Sequence, residues 1–168
     1  MKFLTDILIG SVVVVTLFFV YQTYGGSLKA TFFGDENMFT VYIDTVAMTV
    51  TVADSESERK QGLSEVVSLE EFEGKLFVFD SAQRHGIWMK NMLLPIDIMW
   101  FDNNLELIYF QENVDPSTYP TVFAPTQDAR FVIEANAHFI DALHVQIGDR
   151  LLLPSTILPA DIRNSLQQ

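Results

Sequence analysis

The sequence predicts a mainly β domain, a β-rich α+β fold built as a compact antiparallel barrel or sandwich with two short helices, preceded by one N-terminal transmembrane helix. Three observations lead to this prediction: many short apolar runs are separated by turn signals, only two segments carry helix caps, and one long uncharged stretch lies at the N-terminus. With 168 residues and 49% hydrophobic content, the chain has the length of one folded domain with a short appendage.

The N-terminal stretch is the first element. The 22 positions that follow Asp6 carry no charge, and residues 7–24 have the length and apolarity of a helix that crosses the lipid bilayer. Lys2 favours a cytoplasmic N-terminus, which places the domain outside the cytoplasm in the cell membrane. A signal peptide cleaved near residue 27, which would give a secreted domain, and a buried core helix are the alternatives. We expect a single-pass protein with residues 1–30 as anchor and connector.

The middle of the chain begins with a hairpin and a helix. Alternating apolar residues predict strands at 39–43 and 46–52. Ser55 and Glu58 have the spacing of a capping box, and Gly62 can end the helix, so the sequence predicts a helix over 55–61.

Short strands fill most of the remaining chain. Compact apolar runs and turn signals predict strands at 76–79, 87–89, 96–101, 105–110, 130–134 and 150–153. Three prolines predict a long irregular loop over 112–129, and Asn136 is expected to cap a second helix that ends near residue 143. Residues 31–154 are therefore assigned to one domain and 155–168 to a C-terminal tail.

Composition excludes several classes of function. From Ala30 onward the chain has 8 basic and 21 acidic residues, a net charge of −13, which speaks against nucleic acid as a partner. The chain has no cysteine, which excludes disulfides and thiolate chemistry. His85, His138 and His144 lack the spacing of a metal site, and no nucleotide-binding or hydrolase motif occurs. No metal and no cofactor is predicted.

A series of motifs connects the chain to a known family. The motifs are Glu58-Arg59-Lys60-Gln61-Gly62-Leu63, Glu73-Gly74-Lys75-Leu76-Phe77-Val78-Phe79, Trp88-Met89-Lys90-Asn91-Met92-Leu93-Leu94-Pro95-Ile96-Asp97-Ile98, Tyr119-Pro120, Ala129-Arg130-Phe131-Val132-Ile133-Glu134 and Gly148-Asp149-Arg150. Over roughly residues 40–153 the chain closely resembles the family called domain of unknown function 192. The resemblance implies one compact β-rich domain, often behind a signal or anchor segment, and implies no activity. Many members have Asn-Ala-Gly where this chain has Asn136-Ala137-His138, so the resemblance carries no role over to His138.

Seven residues are candidates for a ligand-binding cleft beside the 112–129 loop. They are Arg59, Trp88, Lys90, Asn91, Asp97, Arg130 and Glu134. A tryptophan beside hydrogen-bond donors suits a small polar ligand or a peptide, although Trp88 also fits the core of a strand.

Asp97 stands out because it lies on a strand that is apolar on both faces. A buried carboxylate needs a cation or several N–H donors, and Lys90, Arg59 and Arg130 are the candidate cations. Either Asp97 has a structural role or it faces a ligand.

The other charged candidates need partners too. Arg130 and Glu134 share a strand face about 13 Å apart, so each requires a partner from a neighbouring strand. Arg59 can instead bind the terminal carbonyl groups of its own helix.

Three functions remain open at this stage. The first is an extracytoplasmic binding or interaction module for a small polar ligand, glycan or peptide. The second is a hydrolase or lyase that uses Asp97 or Glu134 as general base and His85 or Lys90 as acid. The third is a structural accessory protein of an envelope complex. The expected partners are the lipid bilayer, contacted through residues 7–24, and an unknown ligand, peptide or envelope protein.

Overall fold

The computed structural model describes residues 38–165, which hold nine strands and three short α-helices. The strands are β1 Met38–Ile43, β2 Val46–Ala53, β3 Glu73–Gln83, β4 Ile87–Trp88, β5 Ile96–Phe101, β6 Leu107–Val114, β7 Val122–Phe123, β8 Ala129–Asn136 and β9 Leu151–Leu152. The helices are α1 Glu56–Gln61, α2 Phe139–Leu143 and α3 Ala160–Ser165, and Pro116–Thr118 forms one 3-10 turn.

Seven of the strands form one curled sheet, a half-barrel with the order β6-β5-β8-β3-β2-β1-β9, and β4 pairs with β7 in a separate ribbon. The mainly β prediction is confirmed. Two details of it are wrong: residues 38–165 contain three α-helices instead of two, and β2 and β3 run parallel. The connection through α1 is long enough to return the chain to the starting end of β2, which an antiparallel hairpin turn cannot do.

Each face of the sheet carries its own apolar core. β5 and β8 are inner strands of the sheet, each paired on both sides, and every residue of β5 is buried. Met99 and Phe101 pack in the first core, whereas Ile98 and Trp100 pack in the second core with Val132. The prediction that this strand is apolar on both faces and central is confirmed, and burying each such side chain contributes about 2 kcal/mol.

Two local sequence signals, one at the start of α1 and one between β5 and β6, form the cap and the turn that they predict. Ser55 Oγ accepts the Glu58 N–H at 3.3 Å, and Glu58 Oε2 accepts the Ser55 N–H at 3.0 Å, which completes the capping box of α1. Asp102 accepts the N–H groups of Asn104 and Glu106 at 2.8 and 3.0 Å, which closes the β5–β6 hairpin.

Two local predictions are wrong. Asn136 is the last residue of β8 and caps no helix, because its Nδ2 donates to the carbonyl groups of Leu69 and Glu70 at 2.8 and 2.6 Å. His138, in the left-handed region at φ 72°, precedes α2. The segment 112–129 is also more ordered than predicted, since it holds the end of β6, the 3-10 turn and β7.

The structure describes most of the segment predicted to be a C-terminal tail, whereas the predicted N-terminal helix lies outside the described residues. The segment assigned to a tail, 155–168, includes α3 and contributes Leu158 and Ile162 to the first core. The predicted transmembrane helix at 7–24 lies outside the described residues. Within residues 38–165, no helix has the length and apolarity needed to span a bilayer.

Candidate functional site

A small pocket lies where the end of α1 meets β4 and the middle of the sheet. We call it the Glu134 pocket. Its walls are formed by the residues Arg59, Lys60, Gln61, Gly62, Leu63, Ser64, Gly86, Ile87, Trp88, Met92 and Glu134. Its volume is about 60 Å³, which is room for about two water molecules or one small chemical group.

Glu134 is the buried acid of this pocket. It lies on β8 directly between Lys75 of β3 and Ile98 of β5, and it is 4% exposed. Its Oε2 accepts the Leu63 N–H at 3.1 Å, and this is the only hydrogen bond to the carboxyl group within residues 38–165. A carboxyl group in an apolar core therefore has one fixed donor and capacity for more.

Burial controls the charge of this acid. Loss of water raises the pKa of Glu134 from 4.5 to about 7, although the Leu63 N–H and the charge of Lys75 oppose the rise. The group is therefore close to half ionised at neutral pH. A carboxyl group with this pKa, lining a pocket, is typical of functional sites.

Gly62 allows the backbone to approach the acid. It ends α1 with φ +51°, and a Cβ atom there would lie 3.2 Å from both Glu134 Oε2 and Phe77 Cζ. A residue with a side chain would be strained by the backbone conformation and crowded by these atoms. Glycine at this position is what lets the next amide, that of Leu63, reach Glu134.

Arg59 is held in the wall by carbonyl groups. Its Nη1 donates to the Asp54 carbonyl and, at 2.9 Å, to the Val78 carbonyl, while Nη2 lies 3.8 Å from the exposed Asp80 carboxylate. The guanidinium carbon also lies 5.3 Å from the centre of the Phe79 ring. The expectation that Arg59 binds the terminal carbonyl groups of its own helix is wrong. The Asp54 carbonyl precedes α1, and the Val78 carbonyl belongs to β3.

An exposed aromatic surface borders the pocket. Trp88 is 47% exposed and pairs with Val122 of β7, and the Tyr119 ring stands edge-on to its indole at 5.7 Å between centroids. Lys90 Nζ lies 5.6 Å from the centre of the indole ring. We call Trp88, Tyr119 and Val122 the Trp88 patch. The alternative of a core tryptophan is wrong, since nearly half of this side chain faces solvent.

Hydrogen bonds tie the pocket wall to the turn after β4. Ser64 Oγ donates to the Lys90 carbonyl at 2.9 Å, and the Glu65 N–H donates to the Asn91 carbonyl at 2.9 Å. Lys90 and Asn91 therefore support the pocket through their backbone. Five sequence candidates, namely Arg59, Trp88, Lys90, Asn91 and Glu134, come together at this site.

Asp97 lies on the other face of the sheet. It pairs in register with Ala135, next to Glu134, and neighbouring strand residues point to opposite faces. Its Oδ1 accepts the N–H groups of Asn113 and His138 at 2.8 and 3.3 Å, and Oδ2 accepts the Ile140 N–H at 2.8 Å. Of the alternatives left open, the structure therefore has the carboxylate held by several N–H donors, and none of the three candidate cations pairs with it.

Arg130 is also placed away from the pocket. Its Nε donates to the Phe79 carbonyl, and its Nη1 and Nη2 donate to the two Asp161 oxygens at 2.9 and 3.2 Å. The partners expected from neighbouring strands are thus found only in part. Phe79 lies on β3, but Asp161 belongs to α3, and the partner of Glu134 belongs to the loop after α1.

The histidines are scattered over the domain. His85 stacks on Phe79 at 3.5 Å between ring centroids, and burial lowers its pKa. Within residues 38–165, no group of three or more histidine or acidic side chains is arranged to hold a metal ion.

Sequence reasoning missed the small and backbone groups of the site. Gly62, the Leu63 amide and Gly86 were not among the candidates. At Gly86 a Cβ atom would meet Val122 Cγ1 at 2.5 Å, so glycine allows β4 and β7 to pair closely. The only available signal was a glycine at the end of a capped helix, which indicates a stop but no neighbour.

The domain is therefore a β-rich half-barrel, mainly antiparallel, with a buried acid beside an exposed tryptophan. The chain belongs to the family of domain of unknown function 192, because the family model, described as Uncharacterized ACR, matches residues 39–153. The resemblance stated from the motifs is confirmed. No curated protein sequence matches the chain.

Two solved structures share the fold. A protein from Sinorhizobium meliloti 1021, provisionally named a transcription regulator, is 28% identical, with a TM-score of 0.65 over 70% of this chain and 96% of that one. A protein of unknown function from Novosphingobium aromaticivorans DSM 12444 is 20% identical, with a TM-score of 0.64 over 68% of this chain and 84% of that one.

Proposed function

We propose that this protein is a binding module whose Glu134 pocket receives one small hydrogen-bonding group of a polar ligand, while the rest of the ligand lies on the Trp88 patch. The observation that carries the proposal is Glu134 itself, a carboxyl group that is 4% exposed, lines a pocket and has one hydrogen bond within residues 38–165. Its Oε1 has no partner within residues 38–165 and is not fully enclosed, so a donor that enters the pocket can reach it.

The size of the pocket limits what enters it. Pockets that enclose a whole small molecule have about 300 to 1,000 Å³, whereas this one has about 60 Å³. Only the end of a ligand fits, and its body needs an external surface. The Trp88 patch supplies that surface, because aromatic rings give a large contact area at low entropic cost.

An enzymatic role is the second candidate, and the pKa of Glu134, raised to about 7, is the observation that favours it. The two residues expected to act as the acid, His85 and Lys90, bind other groups. His85 Nε2 bonds to the Ser81 carbonyl at 3.0 Å and Lys90 lies over Trp88, so neither lines the pocket. Asp97 is fully buried with its oxygens bonded to backbone amides. Binding is therefore better supported than hydrolysis or elimination.

We also propose that the module is anchored in the cell membrane through residues 7–24, with its domain outside the cytoplasm. The uncharged stretch supports this location. The name of the Sinorhizobium protein raises a role in transcription as an alternative, but 8 basic against 21 acidic residues from Ala30 onward argue against contact with nucleic-acid phosphates. Carbonate extraction of membranes and protease treatment of spheroplasts test the anchor. Release by carbonate or protection from external protease would refute it.

The binding proposal is tested by nuclear magnetic resonance on the full chain in mild detergent. A panel of small alcohols, amines, amides and carboxylates is titrated while the amide signals of Gly62 and Leu63 and the indole signal of Trp88 are followed. We expect at least one class to move these three signals together and to lose the effect in Glu134→Gln. If no class moves them, or if the shifts persist in Glu134→Gln, the pocket is not the binding site.

A further inference from the structure

We infer that the group received by the Glu134 pocket is a primary alkylammonium, R–CH2–NH3+. This inference rests on the proposed function and names the chemical class of its ligand. Glu134 needs hydrogen-bond donors, and an ionised carboxylate in an apolar core also needs an opposite charge. An ammonium group supplies both, whereas a hydroxyl group supplies only a donor.

The Trp88 patch already holds an ammonium group. Lys90 Nζ lies 5.6 Å from the centre of the Trp88 ring, within the range in which the ring face attracts cations. Lys90 is exposed and free of ion pairs within residues 38–165, so the stacked position has no competing acidic partner there. The same ring face is thus suited to the methylene groups of a ligand whose ammonium lies in the pocket.

The charged groups around Glu134 come from two sides. Lys75 on β3 lies opposite it, Arg59 and Lys60 come from α1, and β5 contributes the uncharged Ile98. The two cations of α1 have their own acceptors. Lys60 Nζ bonds to Glu56 at 2.6 Å, and Arg59 bonds to two carbonyl groups.

Glu134 forms no ion pair within the described part of the chain, and the cation whose charge acts on it there is Lys75. The volume of the pocket also suits this headgroup, since about 60 Å³ accommodates a methylene and an ammonium but no ring. The net charge of −12 attracts cations to the protein.

Three probes with the same carbon chain test the inference on the full chain. They are butylammonium chloride, 1-butanol and sodium butyrate, each titrated at pH 6 and pH 8 while the Trp88 indole signal is followed. We expect butylammonium to bind at least tenfold more tightly than the other two at pH 8. At pH 6 its affinity falls about tenfold, because Glu134 must first lose a proton.

Variants separate the contributions. Glu134→Gln abolishes the preference for butylammonium and the pH dependence, whereas Glu112→Gln, which removes the same charge at an exposed position, preserves both. Lys90→Gln strengthens butylammonium binding severalfold because it removes the internal competitor on Trp88. If Glu134→Gln does not fold, the pH comparison on the unchanged chain and the Lys90→Gln variant still decide the question.

The outcomes distinguish the two levels of the proposal. Equal binding of 1-butanol and butylammonium, with both weakened in Glu134→Gln, would refute the ammonium and leave the binding pocket standing. Tighter binding of butyrate would also refute the ammonium. No shift with any probe would refute both. If the inference holds, comparison of cadaverine with Nα-acetyl-lysine amide shows whether a free diamine or a lysine side chain is preferred.

Discussion

The amide of Leu63 donates a hydrogen bond of 3.1 Å to Glu134 Oε2, across 71 positions of sequence. This bond connects the loop after α1 to the middle of β8. It holds one wall of the pocket against a buried acid, so the stability of the domain and the proposed binding activity are linked at a single residue.

Glu134 makes the stability of the domain fall as pH rises. Its pKa is raised from 4.5 to about 7 in the folded protein, so the folded state holds the proton more tightly than the unfolded state does. The stabilising contribution of the neutral form is present below pH 4.5 and is lost as pH rises to about 7, a change of about 3 kcal/mol. We expect the free energy of unfolding of Glu134→Gln, measured relative to that of the unchanged chain, to increase by about this amount from pH 5 to pH 8. Denaturant titrations at the two pH values measure it.

Comparing the two proteins at each pH cancels the other titrating groups. His85, whose pKa is lowered by burial, is present in both proteins, so its contribution cancels. A difference in stability that is the same at pH 5 and pH 8 would contradict the prediction.

Gly62→Ala should destabilise the domain more than Gly148→Ala. Both glycines have positive φ, +51° and +99°, so both substitutions cost about 1 kcal/mol in backbone strain. At Gly62 the new methyl group also meets Glu134 and Phe77 at 3.2 Å, whereas at Gly148 it meets no atom within 4 Å. We expect a further loss of about 1 kcal/mol or more for Gly62→Ala. Thermal melts compare them, and equal losses would show that the contact with Glu134 is unimportant.

Asp97→Asn should lower the free energy of unfolding by about 3 kcal/mol. The carboxylate accepts three backbone N–H groups through its two oxygens. In asparagine an NH2 group replaces one of these oxygens, and because NH2 only donates, the N–H groups on that side lose their acceptor. For a domain of this size the melting temperature should fall by roughly 10 °C. Asp128→Asn, at an exposed position, is the control. A melt of Asp97→Asn within about 2 °C of the parent would argue against the structural role.

His138→Gly should stabilise the domain, or at least not weaken it. His138 lies at φ 72°, a conformation that glycine adopts without strain and other residues adopt at a cost of about 1 kcal/mol. His138→Ala keeps the Cβ atom and therefore the strain, so it separates the backbone effect from loss of the imidazole. We expect the glycine variant to melt above the alanine variant. The opposite order would show that backbone strain does not explain the glycine found here in many family members.

The strands and turns of the fold could be predicted because their signals are local. The capping box of Ser55 and Glu58 and the side-chain bonds of Asp102 form between residues at most four positions apart. The parallel pairing of β2 with β3 was missed, because it depends on where the chain returns after α1. Asn136 was misassigned for a related reason: its amide binds carbonyl groups 66 and 67 positions away, and these outweigh its local capping preference.

The sequence by itself determined the β-rich class, the family, the hairpins and the residue types from which a site is built. It named both Glu134 and Asp97 and gave Asp97 the greater weight, because Asp97 lies on a strand that is apolar on both faces. Only the tertiary structure assigned them different roles. Their strands are paired in register so that the two side chains face opposite sides of the sheet. On one side Asp97 meets three backbone amides, and on the other Glu134 meets one amide and a pocket. The number of donors that reach a buried carboxylate is set by loops distant in sequence, and no local pattern encodes it.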